Sequence, residues 1–405
     1  MNSEYKRKVN LFVAGLAGFY FLIFILTYDA ELTIYNSSLL GFSYEYGFIP
    51  RAFIGTIYHF IDLILPIDMY SYGMAMRFVE VTTALFFVLM LAVARKTLLM
   101  VTEEKFRLLG IMWIVYGILF VSMFSSKYNF GRVDLFMLII DVIGVILLLY
   151  KRCEWLIIPL SVVGVLIHEG FVFMYFAVLL VMLFYRFVMT EEKLKYGLIF
   201  VLSFGAASAM FLYIHFVRTP VDASTYMEIY RQGRRLSSID MPHVSLLSAE
   251  LLCVNLADIE KVFHRENLLQ LPIFLILMLP YLIFVGRLFK KMQKKSDGPE
   301  KKLLALAIMF GWITLLPNYL LKVDYGRWLF ATFSYLLLIF ITMIADGNRI
   351  LTDALNDEIE AINKHNGVGG LLMIYPIIMV PFMDVYINDM LKRIADMLNV
   401  YLNLY

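Results

Sequence analysis

Two segments of the chain carry nearly the same run of chemically active residues. Lys127-Tyr128-Asn129-Phe130-Gly131-Arg132 and Lys322-Val323-Asp324-Tyr325-Gly326-Arg327 share the pattern K-x-[ND]-[FY]-G-R, each just ahead of an apolar run. A helix N-terminus offers unpaired N–H groups and the positive end of the helix dipole. Glycine lets a ligand come close to the backbone. Arginine supplies a planar fork for phosphate oxygens, and lysine a point charge. Together these make an anion site, and two of them can hold a pyrophosphate or the phosphates of two substrates. Aromatic and basic residues also serve as plain anchors at a membrane interface, which is the competing reading.

Other polar groups stand out against apolar surroundings. His168-Glu169-Gly170 interrupts the long apolar stretch 156–188. An ionisable pair there is expensive and marks a functional position; the imidazole can act as base or donor, with Glu169 orienting it. Asp29 and Glu31 follow the first apolar run directly. Carboxylates there can deprotonate an acceptor hydroxyl, or hold a divalent ion such as magnesium or manganese. Arg51, ahead of the apolar segment 52–66, places a third guanidinium at a helix start. Arg231, Arg234 and Arg235 form a cationic cluster suited to lipid phosphates or an anionic glycan. Asp134 and Asp141 are seven residues apart, hence on one helical face below Arg132, where they are either arginine partners or a proton path. Asp324 accompanies them within the second motif. No spacing typical of a metal-ligand cluster occurs.

The elements that must position these groups follow from composition. Of 405 residues, 61% are hydrophobic and 17% charged, and the mean hydropathy is +0.77. Soluble proteins carry nearer a quarter charged residues, so a soluble enzyme and a disordered chain are excluded. A net charge of +2 gives no case for nucleic acid. The apolar runs are continuous, not alternating, which excludes a transmembrane barrel. The expectation is an all-α, polytopic membrane protein with about eleven spans, at 10–28, 78–94, 108–126, 134–150, 156–168, 170–188, 196–217, 268–289, 303–321, 329–346 and 368–387. The stretch 156–188 is expected as a hairpin with His168-Glu169-Gly170 at its tip; a single long tilted helix is the alternative.

Lys6, Arg7 and Lys8 precede the first span, which is taken as an uncleaved anchor. With the N-terminus cytoplasmic, most of the chain's 35 basic residues fall in inner segments. The chain is read as one integral membrane domain. The first outer segment, 29–77, contains an interfacial helix at 52–66. The second is 218–267, and a surface helix at 347–367 lies inside. Cys153 and Cys253 fall on opposite sides, so no disulfide is expected.

A first span followed at once by acidic residues, then a long outer segment with an interfacial helix, resembles the GT-C superfamily of membrane glycosyltransferases. That resemblance implies a GT-C-like bundle, a polyprenyl-phosphate or pyrophosphate sugar donor, and Asp29 or Glu31 as catalytic base. The second outer segment is similar to the O-antigen (capsule) polymerase and ligase branch. There Arg231, Arg234, Arg235 and His168 would engage the lipid pyrophosphate. The expected function is a bacterial inner-membrane transferase or polymerase of cell-envelope polysaccharide. Its expected partners are a polyprenyl-linked glycan, membrane lipid and polysaccharide assembly proteins. Lys127, Arg132, Lys322 and Arg327, with Arg51, would hold phosphate, and Asp29, Glu31, His168 or Glu169 would take the acceptor's proton. A transporter or lipid-linked oligosaccharide flippase without covalent chemistry is the alternative, since the repeated motif can mark an internal repeat.

Overall fold

A computed structural model describes residues 3–127, 129–217, 219, 222–237, 265–321, 325–364 and 375–379. The protein is all-helical among these. Six of its helices are long and apolar enough to cross a membrane: Ser3–Thr27, Tyr72–Met100, Glu103–Ser125, Val133–Tyr150, Lys193–Val217 and Gly326–Ala345. The expected span at 368–387 lies largely outside the described residues.

In chain order, α1 is Ser3–Thr27, α2 Ile34–Gly41, α3 Phe53–Ile64, α4 Tyr72–Met100, α5 Glu103–Ser125 and α6 Val133–Tyr150. Then come α7 Ile157–Ile167, α8 Phe171–Met174, α9 Phe176–Met189, α10 Lys193–Val217 and α11 Ala223–Arg235. The series closes with α12 Arg265–Lys295, α13 Pro299–Phe310, α14 Leu316–Leu321, α15 Tyr325–Ala345 and α16 Arg349–Asn363. The end where α1 begins is called here the near end, and the opposite one the far end.

Burial separates inner from peripheral helices. A helix apolar all round belongs in an interior or in lipid. In α6 nearly every residue from Val133 to Val145 is buried, and α15 is buried throughout Gly326–Ala345. These two helices form the core of the bundle. By contrast α1 buries only Val9, Leu16 and Tyr20, a single stripe, and leaves Phe21, Leu22 and Leu26 exposed. The seam between α1 and α5 is set by Gly117, where an added Cβ would come within 1.8 Å of the Tyr20 ring. Tyr20 in turn donates its hydroxyl to the Trp113 carbonyl at 2.5 Å.

The near end is held by ion pairs. Lys8 meets Glu103, and Lys195 meets Glu154 at 2.7 Å. Arg186 grips Asp346 at 3.0 Å and also donates to the Leu148 carbonyl. Glu358 on α16 takes Arg287 and Lys291 of α12 at 2.6 and 2.5 Å. The helix α16, within the segment 347–367, is thus pinned to α12 by charge.

The stretch 156–188 is a hairpin. Its backbone breaks at His168–Gly170, and both legs return to the near end, where Glu154 and Arg186 are tied down. The legs have 11 and 14 residues. The bundle encloses the tip, where His168 and Glu169 are both buried. The helix expected to run unbroken over 303–321 is instead interrupted: α13 ends at Phe310, a 3₁₀ turn follows at Gly311–Leu315, and α14 comes after it. The physical reason is Gly311. It lies under the Tyr335 hydroxyl, 2.3 Å from where a Cβ would stand, and Thr314 Oγ1 donates to the Phe173 carbonyl at 2.9 Å.

Filling the α1–α5 seam should be costly, because extra atoms in a packed core cost about 1–3 kcal/mol. Gly117→Leu is expected to lower the melting temperature of the detergent-purified protein. Gly15→Leu, where nothing lies within 4 Å of the added Cβ, should leave it unchanged. Equal melting curves for the two would refute this seam.

Candidate functional site

The far end carries the cap on which the site depends. Here α2 packs against α11, with the Ser37 hydroxyl donating to the Gly233 carbonyl at 2.9 Å. Asp222 caps α11 by accepting from the Thr225 N–H at 2.7 Å. That bond, together with one from the Ser224 hydroxyl, holds the Asp222 carboxyl below its usual range. The loop after α2 is fixed by paired bonds between Phe48 and Thr219, each 2.8 Å. It leads directly into Arg51, whose φ is +62°. A non-glycine residue there is strained by about 1–3 kcal/mol. At Gly55, one turn into α3, the carbonyl oxygen of Phe42 lies 1.9 Å from where a Cβ would stand, so α3 presses directly on this loop.

The strain at Arg51 is balanced by what its side chain meets. The guanidinium forms a two-pronged pair with Glu169 at the hairpin tip, through Nη2 to Oε1 and through Nε to Oε2 at 3.1 Å. Both residues are buried. The His168 ring stands beside the pair, Nδ1 3.8 Å from Glu169 Oε2. Its Nδ1 accepts the Gly170 N–H at 2.8 Å. A nitrogen that accepts a backbone N–H carries no proton of its own, so in the neutral ring the proton sits on Nε2. His168 is therefore a hydrogen-bond donor through Nε2. This separates two roles that the sequence left together.

The far side of the same tip builds a second cluster. The Tyr175 hydroxyl donates to Asp134 Oδ1 at 2.7 Å. Asp134 Oδ2 lies 2.6 Å from Arg327 Nε and 3.8 Å from Arg132 Nε. Arg132 also donates to the Asn129 side-chain oxygen at 2.9 Å. The arginines of the two repeated motifs thus converge on one buried carboxylate. Gly131 between them has φ +75°, and a Cβ there would stand 2.7 Å from the Leu32 side chain. Tyr175 gave no signal in the sequence: it is one aromatic residue in an apolar run, and its tie to Asp134 crosses 41 positions.

The remaining candidates are spread along the rim. Lys127 pairs with Glu31 at 2.9 Å, both about one-third exposed. Asp29 is exposed, its backbone N–H bonded to the Ser125 carbonyl at 3.1 Å. Arg231 and Arg234 are exposed on α11, and Arg235 meets Asp68 across the surface at 3.3 Å. These three are not brought to the buried clusters. Lys322 and Asp324 lie outside the described residues. Asp141 is buried two turns deeper on α6. No group of three or more His, Cys, Asp or Glu with metal-site geometry occurs among the described residues.

Beside the tip runs an apolar groove of about 690 Å³ between α9, α10 and α13. Phe173 and Pro317 stand at its far-end mouth and Phe184, Phe200 and Leu303 deeper in. It shares the segment Val172–Phe176 with the second cluster, since Tyr175 points to Asp134 while Val172, Phe173 and Phe176 line the groove. A buried charged cluster and an apolar groove thus back onto one short stretch of chain. No family profile, curated protein or solved structure matches this chain.

Removing one partner of a buried ion pair strands a charge and costs about 3–5 kcal/mol, whereas replacing both with apolar groups is close to neutral. Arg51→Ala or Glu169→Ala should sharply reduce folded yield, and Arg51→Met with Glu169→Leu should recover it. Folded yields that track the single changes additively would show that the pair does not connect cap and tip.

Proposed function

We propose that the protein transfers sugars from a polyprenyl-phosphate or pyrophosphate carrier at the outer leaflet, as a glycosyltransferase or polymerase of bacterial cell-surface polysaccharide. The observation that supports this reading is the pairing of a buried arginine cluster with an apolar groove at the segment Val172–Phe176. A ligand that satisfies both has an anionic head and a long apolar tail. Most polar groups of the site gather at one end of the bundle, as a one-sided catalytic centre requires.

The chemistry follows from the positions. The bond from the anomeric carbon to the carrier phosphate oxygen breaks, and its electron pair leaves with the phosphate. Arg132 and Arg327, held apart by Asp134, would take up that developing charge. The acceptor hydroxyl oxygen forms the new bond to carbon. Its proton passes to a rim carboxylate. Asp29 is exposed and has no ion pair among the described residues, whereas Glu31 is engaged by Lys127; Asp29 therefore takes the proton. His168, donating through Nε2, would steady a sugar or phosphate oxygen. Arg51 and Glu169 hold the tip in place and do not react. A flippase remains the second reading, because the same amphiphile can be moved without bond cleavage.

Arg132→Lys and Arg327→Lys keep the charge but lose the two-pronged geometry. Each is expected to cut surface polymer at least tenfold while membrane levels of the protein stay normal. Unchanged amount and chain length in both variants would overturn the mechanism. The orientation has its own test. Cys153 is exposed at the near end. With Cys253 changed to serine, a membrane-impermeant maleimide should label Cys153 only after the membrane is opened. Labelling of intact spheroplasts would invert the topology and place the arginine cluster on the cytoplasmic side.

A further inference from the structure

Asp141 stands halfway along α6, is wholly buried, and neither carboxyl oxygen has a hydrogen-bond partner among the described residues. The proposed transfer chemistry does not use it. An ionised carboxylate so placed costs several kcal/mol, and an apolar residue would pack there without that cost. Its register is specific. Positions 134, 141 and 148 recur every seven residues and share one helical face. Asp134 belongs to the arginine cluster at the far end, while the Leu148 carbonyl accepts from Arg186 at the near end. Asp141 thus lies about 10 Å along the axis from each.

The neighbours give it no fixed counter-charge. Packed most closely on α6 are α4, α7, α9 and the turn Glu154–Leu156, and α15 reaches it through Arg327, which is engaged by Asp134; Tyr335 of α15 donates to the Ala307 carbonyl. On α4, Tyr72, Arg77 and Glu80 belong to the far end, where Tyr28 bonds to Glu80. Arg95 and Lys96 sit at the near end, against Asn10 and the Tyr150 ring. No residue of α7 titrates. On α9, Tyr185 and Arg186 are at the near-end latch, and Glu154 is engaged by Lys195 and Tyr196.

We propose that Asp141 is a proton-binding site at the centre of the bundle, a carboxylic acid that exchanges its proton and, unlike Asp134 and Asp346, has no arginine paired with it among the described residues. The ligand is the proton itself, and this holds whether or not the protein transfers sugars.

Two measurements on the full-length protein in nanodiscs test it. Infrared difference spectra should show a protonated-carboxyl C=O band at neutral pH that shifts in D2O and is lost in Asp141→Asn but kept in Asp134→Asn. Dicyclohexylcarbodiimide, which modifies protonated carboxyls in apolar surroundings, should label the α6 peptide of the unmodified protein at Asp141, and the labelling should fall several-fold as the pH is raised into the alkaline range. The second measurement needs no variant, so misfolding of Asp141→Asn leaves the test intact. Absence of label at Asp141, or labelling that does not change with pH, would overturn the proposal. Protection by sodium chloride but not choline chloride would also overturn it, by assigning the site to a metal cation.

Discussion

The buried Arg51–Glu169 ion pair is the interaction on which the far end of the molecule depends. It joins residues 118 positions apart, one on the cap outside the bundle and one at the tip of the internal hairpin. Neither charge is tolerable at that depth alone. Each side therefore fixes the other: the cap cannot lift without stranding Glu169, and the tip cannot withdraw without stranding Arg51. The left-handed backbone at Arg51 shows that the chain accepts local strain to keep this contact. From the tip the constraint passes to Tyr175, then to Asp134, and through Asp134 to the arginines that open α6 and α15.

Non-helical backbone at membrane depth survives only where protein surrounds it. The two interrupted elements obey that rule by meeting each other. The hairpin tip exposes the Phe173 carbonyl, and the break between α13 and α14 supplies Thr314 to bond it. The break at Gly311 is in turn set by Tyr335 of α15. Cluster and groove thus belong to one packing solution. Breaking the helices frees backbone groups, the Thr314 hydroxyl bonds one of them, and the groove lies beside the break.

The sequence was most legible where composition decides the outcome. Long apolar runs such as 134–150 became helices because no other structure satisfies the backbone in lipid. The hairpin was legible as the preferred of two readings, since His168-Glu169-Gly170 interrupts the apolar run, while a single tilted helix stood as the alternative. Gly311 was not, because Gly311-Trp312-Ile313-Thr314-Leu315 is apolar enough to look continuous; the break depends on a tyrosine from another helix. For the site, the repeated glycine–arginine pairs were visible, but their meeting at Asp134 was not. Local spacing offers Arg132 as the partner of Asp134, and the closer guanidinium is Arg327. His168 and Glu169 were visible as a pair, yet their division of labour was set by Arg51, which no spacing connects to them.

The distribution of ion pairs also bears on the choice between an enzyme and a mover of lipids. A transporter must open each end in turn, so the contacts closing each end must be of comparable, modest strength. Here the near end is closed by a two-pronged Arg186–Asp346 pair that also binds the end of α6, and by Glu154 held from two sides. Opening it would expose several buried charges together. The far end has its buried pairs inside, with exposed arginines and carboxylates along the rim. One end latched through charge and the other rimmed by exposed arginines and carboxylates is the asymmetry that the proposed one-sided transfer calls for.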